Sequence, residues 1–437
     1  MTETRISMKN PDPQISPAGD YSLTVDGKEV FVYTCDVANY AILSGQGTMN
    51  LEITSNKPFN TVKVRPLISG IVPRIEGNRV SFTVEGPQKL SVEFDDDILN
   101  PLFILINPME EARPKKGDDK VHYFESGKVY DIGEVELHEG DTVYIDEGAV
   151  VFGSFCAYRA NNLTIKGRGI LNGSKWHRQG DVQQKQMIKL VECKNVTIEG
   201  ITIVDGPNWH VVPIACEDVA IRDLNVITFV MTGDGIDVVG SENVSISNCF
   251  VRSNDDCVAI KAVDYQHEAG HKNVKNVRIS DSVFWNAEFG NALEIGYETR
   301  CDEISNIVFE NCDVIRSEFE GYQSGGTFTI HNGDRAHIRN VRYDNIRVED
   351  SREKLIDIKV QFSQYSRDEE RGQVSDIVFN NIQVVDGPFP VSIIRGYDAD
   401  HMIRDITIKD MVVHGEEIKS ANQCRMVVEL SKDINFE

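Results

Sequence analysis

The chain has 437 residues, with Lys+Arg 45 against Asp+Glu 69 and a formal net charge of −24. That balance argues against a nucleic-acid or anionic-membrane partner and favours a small or uncharged one, and no apolar run reaches the roughly 18 residues that a membrane helix needs. With 41 % hydrophobic and 26 % charged residues, 33 Gly and 14 Pro, the composition is that of a folded globular chain rather than a collagenous or disordered one.

The opening stretch, MTETRISMKNPDPQIS, lacks an apolar core between basic residues and a small-residue cleavage site. A cytoplasmic location is therefore expected, with a secreted or periplasmic one as the alternative where a leader has been trimmed. Residues 1–17 are expected to be flexible. From residue 18 to about 115 the chain breaks into short period-two segments, YSLTVDG, VFVYTC, MNLEITS, TVKVRPL, RVSFTVEG and KLSVEFD, bounded by turn residues. Such segments read as half-buried antiparallel strands, and a small N-terminal β-sandwich covers the apolar face of each. The charged stretch EEARPKKGDD, from Glu110 to Asp119, reads as a linker or surface loop. Nine cysteines without CxxC pairs suggest neither a zinc ribbon nor a disulfide framework; reduced, buried thiols are expected.

From residue 116 to 437 the pattern changes. A tag of Asn or Asp, then Leu, Val or Ile, any residue, and Ile, Phe or Tyr recurs nine times, beginning at Asn162, Asn195, Asp218, Asn243, Asn276, Asn306, Asn340, Asp376 and Asp405. The gaps are 33, 23, 25, 33, 30, 34, 36 and 29 residues, and most tags lead through a small polar pair into a second short strand, as in NVSISNCFV and NIVFENCDV. Repeats of this length signal a solenoid or array. Without helical segments between the strands, an all-β, right-handed parallel β-helix is predicted, in which each coil buries its inward residues against the coils above and below. Asn suits the turn before each strand because it tolerates left-handed backbone, and Cys249 and Cys312 are expected to fill inward positions. Gaps this irregular do not fit a propeller, and the Leu-Asn ladder of a leucine-rich repeat is missing.

Coils stacked about 4.7–4.9 Å apart turn sequence spacing into surface adjacency. In MTGDGIDVVGSENVSISNCFVRSNDDCVAIK, Asp234 lies about one coil before Asp255 and Asp256, so three carboxylates converge on one outer face. Consecutive strand residues face opposite ways, so the doublet requires a turn or bulge, which Asn254 permits. Crowded carboxylates raise one another's pKa. That arrangement suits glycoside hydrolysis, in which a protonated acid serves the leaving oxygen and an ionised one activates water, at a separation of about 6.5–9.5 Å when the anomeric centre inverts.

The strings TGDGIDV and NDDCVAIK, with the preceding PNWHVVPIACEDVAIRDLNV, resemble the polygalacturonase-type glycoside hydrolases (family 28) over roughly residues 120 to 415. The resemblance implies a right-handed parallel β-helix and inverting hydrolysis, with Asp255 as general acid and Asp234 and Asp256 positioning and activating water. Family 28 usually carries Gly-His-Gly one coil later, often followed by Ile-Gly-Ser; here FGNALEIGYETR places Asn291 at the His position, and the Arg-Ile-Lys motif that holds a uronate carboxylate is not evident. FWNAEFGNALEIGYETR with an N-terminal β-sandwich is also similar to the dextranase and isopullulanase group (family 49), whose substrates are neutral glucans.

Further substrate contacts are expected around these acids. Trp209 and His210 precede Asp234 by a coil, as a ring face and a hydroxyl partner. Tyr265, His267 and His271 follow the doublet in a loop over the same face, without the helix that a His pair at i, i+4 needs to bind metal. Lys261 is placed to pair with the acids or hold a substrate oxygen. Asn291, Glu294, Tyr297, Glu298 and Arg300 extend the groove by a coil, with Glu294 facing outward as a fourth acid, and His331 lies one coil further. The function expected is cleavage of α-linked bonds in a poly- or oligosaccharide, with no metal, no cofactor, no nucleic acid and no membrane, and with oligomeric state open. A β-helix lyase or epimerase acting on uronates, whose acids would hold Ca²⁺, and a non-catalytic carbohydrate-binding β-helix are the competing readings.

Overall fold

The computed structural model describes residues 3–176, 185–263, 268–318 and 325–437. Among them the chain is almost entirely β, interrupted by 3-10 turns at Leu67–Ser69 and Glu268–His271. No helix in these residues is long and apolar enough to cross a membrane.

Two sheets come first. One orders Arg5–Ser7, Ala38–Gln46, Leu102–Asn107, Gln88–Phe94 and Val62–Arg65, with Val32–Cys35 joined to its second strand; the other orders Lys28–Val30, Tyr21–Val25, Thr48–Ser55, Arg79–Glu85 and Arg74–Glu76. Leu23, Leu51 and Phe82 from one sheet pack with Leu43, Val92 and Ile104 from the other in a single buried cluster, so the pair is a sandwich. The start of the chain departs from the expectation of a flexible segment through residue 17. Arg5–Ser7 pairs antiparallel with Ser44–Gln46, and Ser7 Oγ donates to Glu147 at 2.6 Å. The period-two run RIS is short but finds an open sheet edge, and pairing satisfies its backbone groups.

Among the described residues from Val121 to Phe436, thirty-one strands then form one nearly all-parallel system, wound as a right-handed β-helix, the hand that parallel crossovers take. All nine tag residues, from Asn162 to Asp405, have positive φ, between 53 and 59°. Asn and Asp bear left-handed backbone because their side chains bond locally, and here they also bond between coils: Asn276 Nδ2 donates to Asn243 at 2.9 Å and Asn306 to Asn276 at 3.0 Å. A second ladder of left-handed turns, unread in the sequence beyond its small polar pairs, runs through Asp281, Asn311, Asn345 and Asn381, joined by side-chain bonds such as Asn345 to Asn311 at 3.1 Å.

Inside, register aligns Val238, Ile260, Ile295, Ile330 and Ile358 in one column, each worth about 1.5–3 kcal/mol of burial. Cys249 and Cys312 fill inward positions of the same core, and all nine thiols are free. The sandwich lies against the outside of the coils. Phe103 meets Phe250 and Trp285 at ring separations of 4.8 and 5.5 Å, within an apolar seam that includes Val150, Ile170 and Ile227. That seam occupies the face carrying Phe250–Ser253 and Val283–Asn286, leaving the stack of Ile236–Val239, Val258–Ala262, Leu293–Thr299, Phe328–Asn332 and Lys354–Val360 to carry charged groups.

Candidate active site

Asp234 ends the turn before Ile236–Val239, while Asp255 and Asp256 occupy the turn between Phe250–Ser253 and Val258–Ala262. The doublet thus escapes strand alternation by a turn rather than a bulge. Gly290 permits the geometry, because a Cβ there would land on the Asp255 carbonyl carbon and the Asp256 nitrogen. Asn286 Nδ2 and Ser253 Oγ each donate to the Asp255 carbonyl at 2.7 Å. Carboxylate oxygens of Asp234, Asp255 and Asp256 all lie within 4.8 Å of one another, tighter than the about 6.5–9.5 Å expected for an acid and base that admit water between them.

Lys261 makes this crowding tolerable. Its ammonium stands 2.6 Å from Asp234 Oδ2, 3.1 Å from Asp237 Oδ1 and 3.6 Å from Asp256 Oδ2, and 4.3 Å from the Trp209 ring centroid. Burial works against its charge, but Asp234, Asp237 and Asp256 outweigh that and hold its pKa well above the ordinary lysine value. Asp256 Oδ1 accepts from the Asn291 backbone N–H at 2.8 Å and from Asn291 Nδ2 at 2.9 Å. Burial pushes the Asp256 carboxyl up to about 7, against the lowering by Lys261. Asp255 Oδ1 accepts from the Asp256 backbone N–H at 3.1 Å, but burial, then Asp234 and Asp256, push its carboxyl well above the usual range. Asp255 is also the partly exposed member, whereas Asp234 and Asp256 are 1 % and 6 % exposed. The acid at the surface is thus the one with the least to hold its charge, and the two beneath it are tied to Lys261 and Asn291. The same three acids are the groups that could hold a cation, but Lys261 already supplies positive charge to two of them.

A second charged set adjoins the first. Glu294 Oε1 and Oε2 lie 3.0 and 3.1 Å from His331 Nδ1, and Asp357 Oδ2 lies 3.3 Å from Nε2. Burial lowers the His331 pKa, but Glu294 and Asp357 prevail and lift it to about 9. Register explains the set: Asp237, Ala259, Glu294, Thr329 and Asp357 form one outward column over the aliphatic one, and His331 is two residues beyond Thr329 on the same strand and the same face.

A family model described as glycosyl hydrolases family 28 matches residues 137–432. The chain belongs to this family. A probable polygalacturonase from Arabidopsis thaliana is 26 % identical to this family 28 chain over 199 residues, covering 44 % of it and 40 % of the relative. The match thus spans about two-fifths of the length of that curated relative. Among solved structures, Dex49A from Penicillium minioluteum aligns with TM-score 0.69 at 13 % identity, over 99 % of this chain and 97 % of that one. The family 28 exopolygalacturonase of Yersinia enterocolitica aligns with TM-score 0.54 at 13 % identity, over 99 % and 96 %. At these identities the two share the fold with the family 28 chain, sandwich included in the aligned length.

Several residues of the family 28 chain sit differently from the sequence expectation. His210 is fully buried and cannot meet a sugar hydroxyl. Gly206 N–H donates to its Nε2 at 3.1 Å, so Nδ1 carries the proton and donates to the Asp234 carbonyl at 3.0 Å, and burial lowers its pKa to about 4. It braces the Asp234 backbone as a neutral ring. Glu294 and His331 face away from the core as expected but are inaccessible, with the Tyr297 ring lying over the His331 imidazole, so neither meets substrate directly. Arg300 is committed to Asp368 at 3.1 Å. Glu298 is buried close enough to Lys261 to favour its charge, and His271 ends the 3-10 turn whose Gly270 packs over Gly240. Trp209 and Tyr297 are partly exposed. Tyr265 and His267 lie outside the described residues. Asp237, Asp357 and Tyr365 were missed, although Asp237 and Asp357 stand between inward Ile and Val residues (IDV, IDI) just as Glu294 does in LEI.

Proposed function

We propose that this chain is an inverting glycoside hydrolase acting on α-linked bonds of a poly- or oligosaccharide, with Asp255 as general acid and Asp234 and Asp256 activating water. The observation that carries this reading is the division of labour among three adjacent carboxyls. Asp255 alone is open to the surface and is pushed toward its protonated form, while Asp234 is ion-paired to Lys261 and Asp256 is bonded to Asn291. A protonated carboxyl gives its proton to the glycosidic oxygen as the C–O bond breaks.

The attacking group follows from burial. The short separation of the acids resembles that of retaining enzymes, in which a carboxylate bonds to the anomeric carbon. Asp234 and Asp256 are too enclosed for that approach. Asp234 Oδ1 has no hydrogen-bond partner among the described residues, and an acceptor in that state takes a proton from water, which then attacks from the face opposite the leaving group. Polygalacturonase activity of the Arabidopsis relative's name and the family assignment support hydrolysis over β-elimination. Following the anomeric proton of the first product by NMR tests the reading: inversion is expected, and retention, or an ultraviolet-absorbing unsaturated end, contradicts it.

A further inference from the structure

The groups on the C-terminal side of the acids take no part in the proton transfers above. There Glu294, His331 and Asp357, contributed by three successive coils, are inaccessible, and a carboxylate faces each nitrogen of the His331 ring. Nδ1–H donates to Glu294 and Asp357 stands opposite Nε2 as an ion-pair partner, so turning the ring breaks a charge-assisted bond and an ion pair. The Tyr297 ring lies flat on this imidazole, with centroids 4.3 Å apart and planes 9° from parallel. Tyr365 meets Tyr297 at 5.6 Å and 49°, and both tyrosines are partly exposed. Tyr297 lies on the strand Leu293–Thr299 three residues after Glu294, and that strand pairs with Val258–Ala262, which carries Lys261, so its ring adjoins the carboxyl cluster.

Charge in this neighbourhood is already neutralised in pairs. Lys261 serves Asp234, Asp237 and Asp256, Lys359 lies 3.0 Å from Asp357, and Arg300 is held by Asp368. A sugar carboxylate entering beside Tyr297 comes within the negative field of Asp256, Glu294 and Asp357 without touching the two buried ones, and the cations among the described residues there are committed. An uncharged pyranose instead lays a C–H face on the aromatic ring and keeps its hydroxyls in water.

We propose, resting on the hydrolase reading, that Tyr297 is the stacking platform for an uncharged sugar unit beside Asp255. In the same assignment His331 is a positioning residue that fixes the plane of that ring, and the site selects a neutral glycan over a uronate-containing one.

The test uses Asp255→Asn protein, so that ligands bind without turnover, and two probes on one skeleton: trigalacturonate and α-1,4-linked galactotriose, which differ only at the carboxyl carbons. Calorimetry is expected to show the neutral trisaccharide binding about tenfold or more tightly than the uronate. Adding Tyr297→Ala weakens neutral binding about tenfold, while Tyr297→Phe, which keeps the ring and the fold, changes it less than about twofold. In the otherwise unaltered enzyme His331→Gln raises KM about threefold with kcat held, and changes the tyrosine band in near-ultraviolet circular dichroism. Equal or tighter binding of trigalacturonate, binding of neither probe, or a Tyr297→Ala protein that binds like its parent overturns the proposal. The hydrolase reading fails separately, if the unaltered enzyme binds neutral sugar and releases no shorter product from any α-linked substrate.

Discussion

Lys261 Nζ lies 2.6 Å from Asp234 Oδ2, and the same ammonium is shared with Asp237 and Asp256. One buried cation therefore offsets three buried carboxylates contributed by two adjacent coils. Removing one member of such a set leaves the rest uncompensated, at a cost of about 3–5 kcal/mol. Lys261→Met is expected to lower stability by that order in chemical denaturation. Because Lys261 lowers the Asp256 pKa, its loss raises that pKa, and the acid limb of the kcat/KM profile moves to higher pH. An unmoved acid limb in folded variant protein would separate Lys261 from the chemistry.

Asp255→Asn keeps size and hydrogen bonding at the turn but has no proton of suitable acidity to give. A fall in kcat of about 10²–10⁴ is expected, with sugar binding little changed and the basic limb of the pH profile abolished. Activity in the parent is lost as pH rises through the Asp255 pKa, since the acid must carry its proton. A near-normal rate in the variant rejects Asp255 as the acid.

Gly290 presses on the backbone that joins Asp255 to Asp256. Gly290→Ala should displace the doublet, costing about 1–3 kcal/mol of stability and about a hundredfold in kcat. Gly19→Ala, where an added Cβ meets nothing within 4 Å, is the control and leaves both unchanged. Equal behaviour of the two variants would disprove the contact.

His331 makes stability depend on pH in a definite direction. Its pKa rises from 6.5 to about 9 on folding, through Glu294 and Asp357 against burial, with Lys359 and Tyr297 the other groups nearby. A raised folded-state pKa stabilises fully below the unfolded value, here by about 3 kcal/mol, and the benefit disappears as pH climbs from about 6.5 through about 9. Denaturation of parent and His331→Gln proteins across this window should show their difference in stability shrinking with rising pH. A constant difference would mean the ring is neutral throughout.

The left-handed ladder offers a test of the coil itself. Asn276, at φ 58°, donates to Asn243 and accepts from Asn306. Asn276→Ala should cost about 1–2 kcal/mol and Asn276→Gly less, because glycine bears the backbone conformation without strain; the order of the two melting temperatures decides it.

By itself the sequence determined the coil. The Asn and Asp tags mark where left-handed turns must fall, and period-two Val, Ile and Phe mark which residues face in, so the stacking of Asp234 on the Asp255–Asp256 doublet followed from spacing alone. Outward, however, does not mean exposed. Whether Glu294 or His331 meets solvent depends on their packing against each other, Asp357 and the Tyr297 ring, and whether His210 meets sugar or backbone depends on where Gly206 and the Asp234 carbonyl come to rest. Those are contacts between segments tens of residues apart, made by side-chain packing and lateral register. They exist only once the coils are stacked, which is why the triad of acids was legible in the sequence and the Glu294–His331–Asp357 cluster required the tertiary structure.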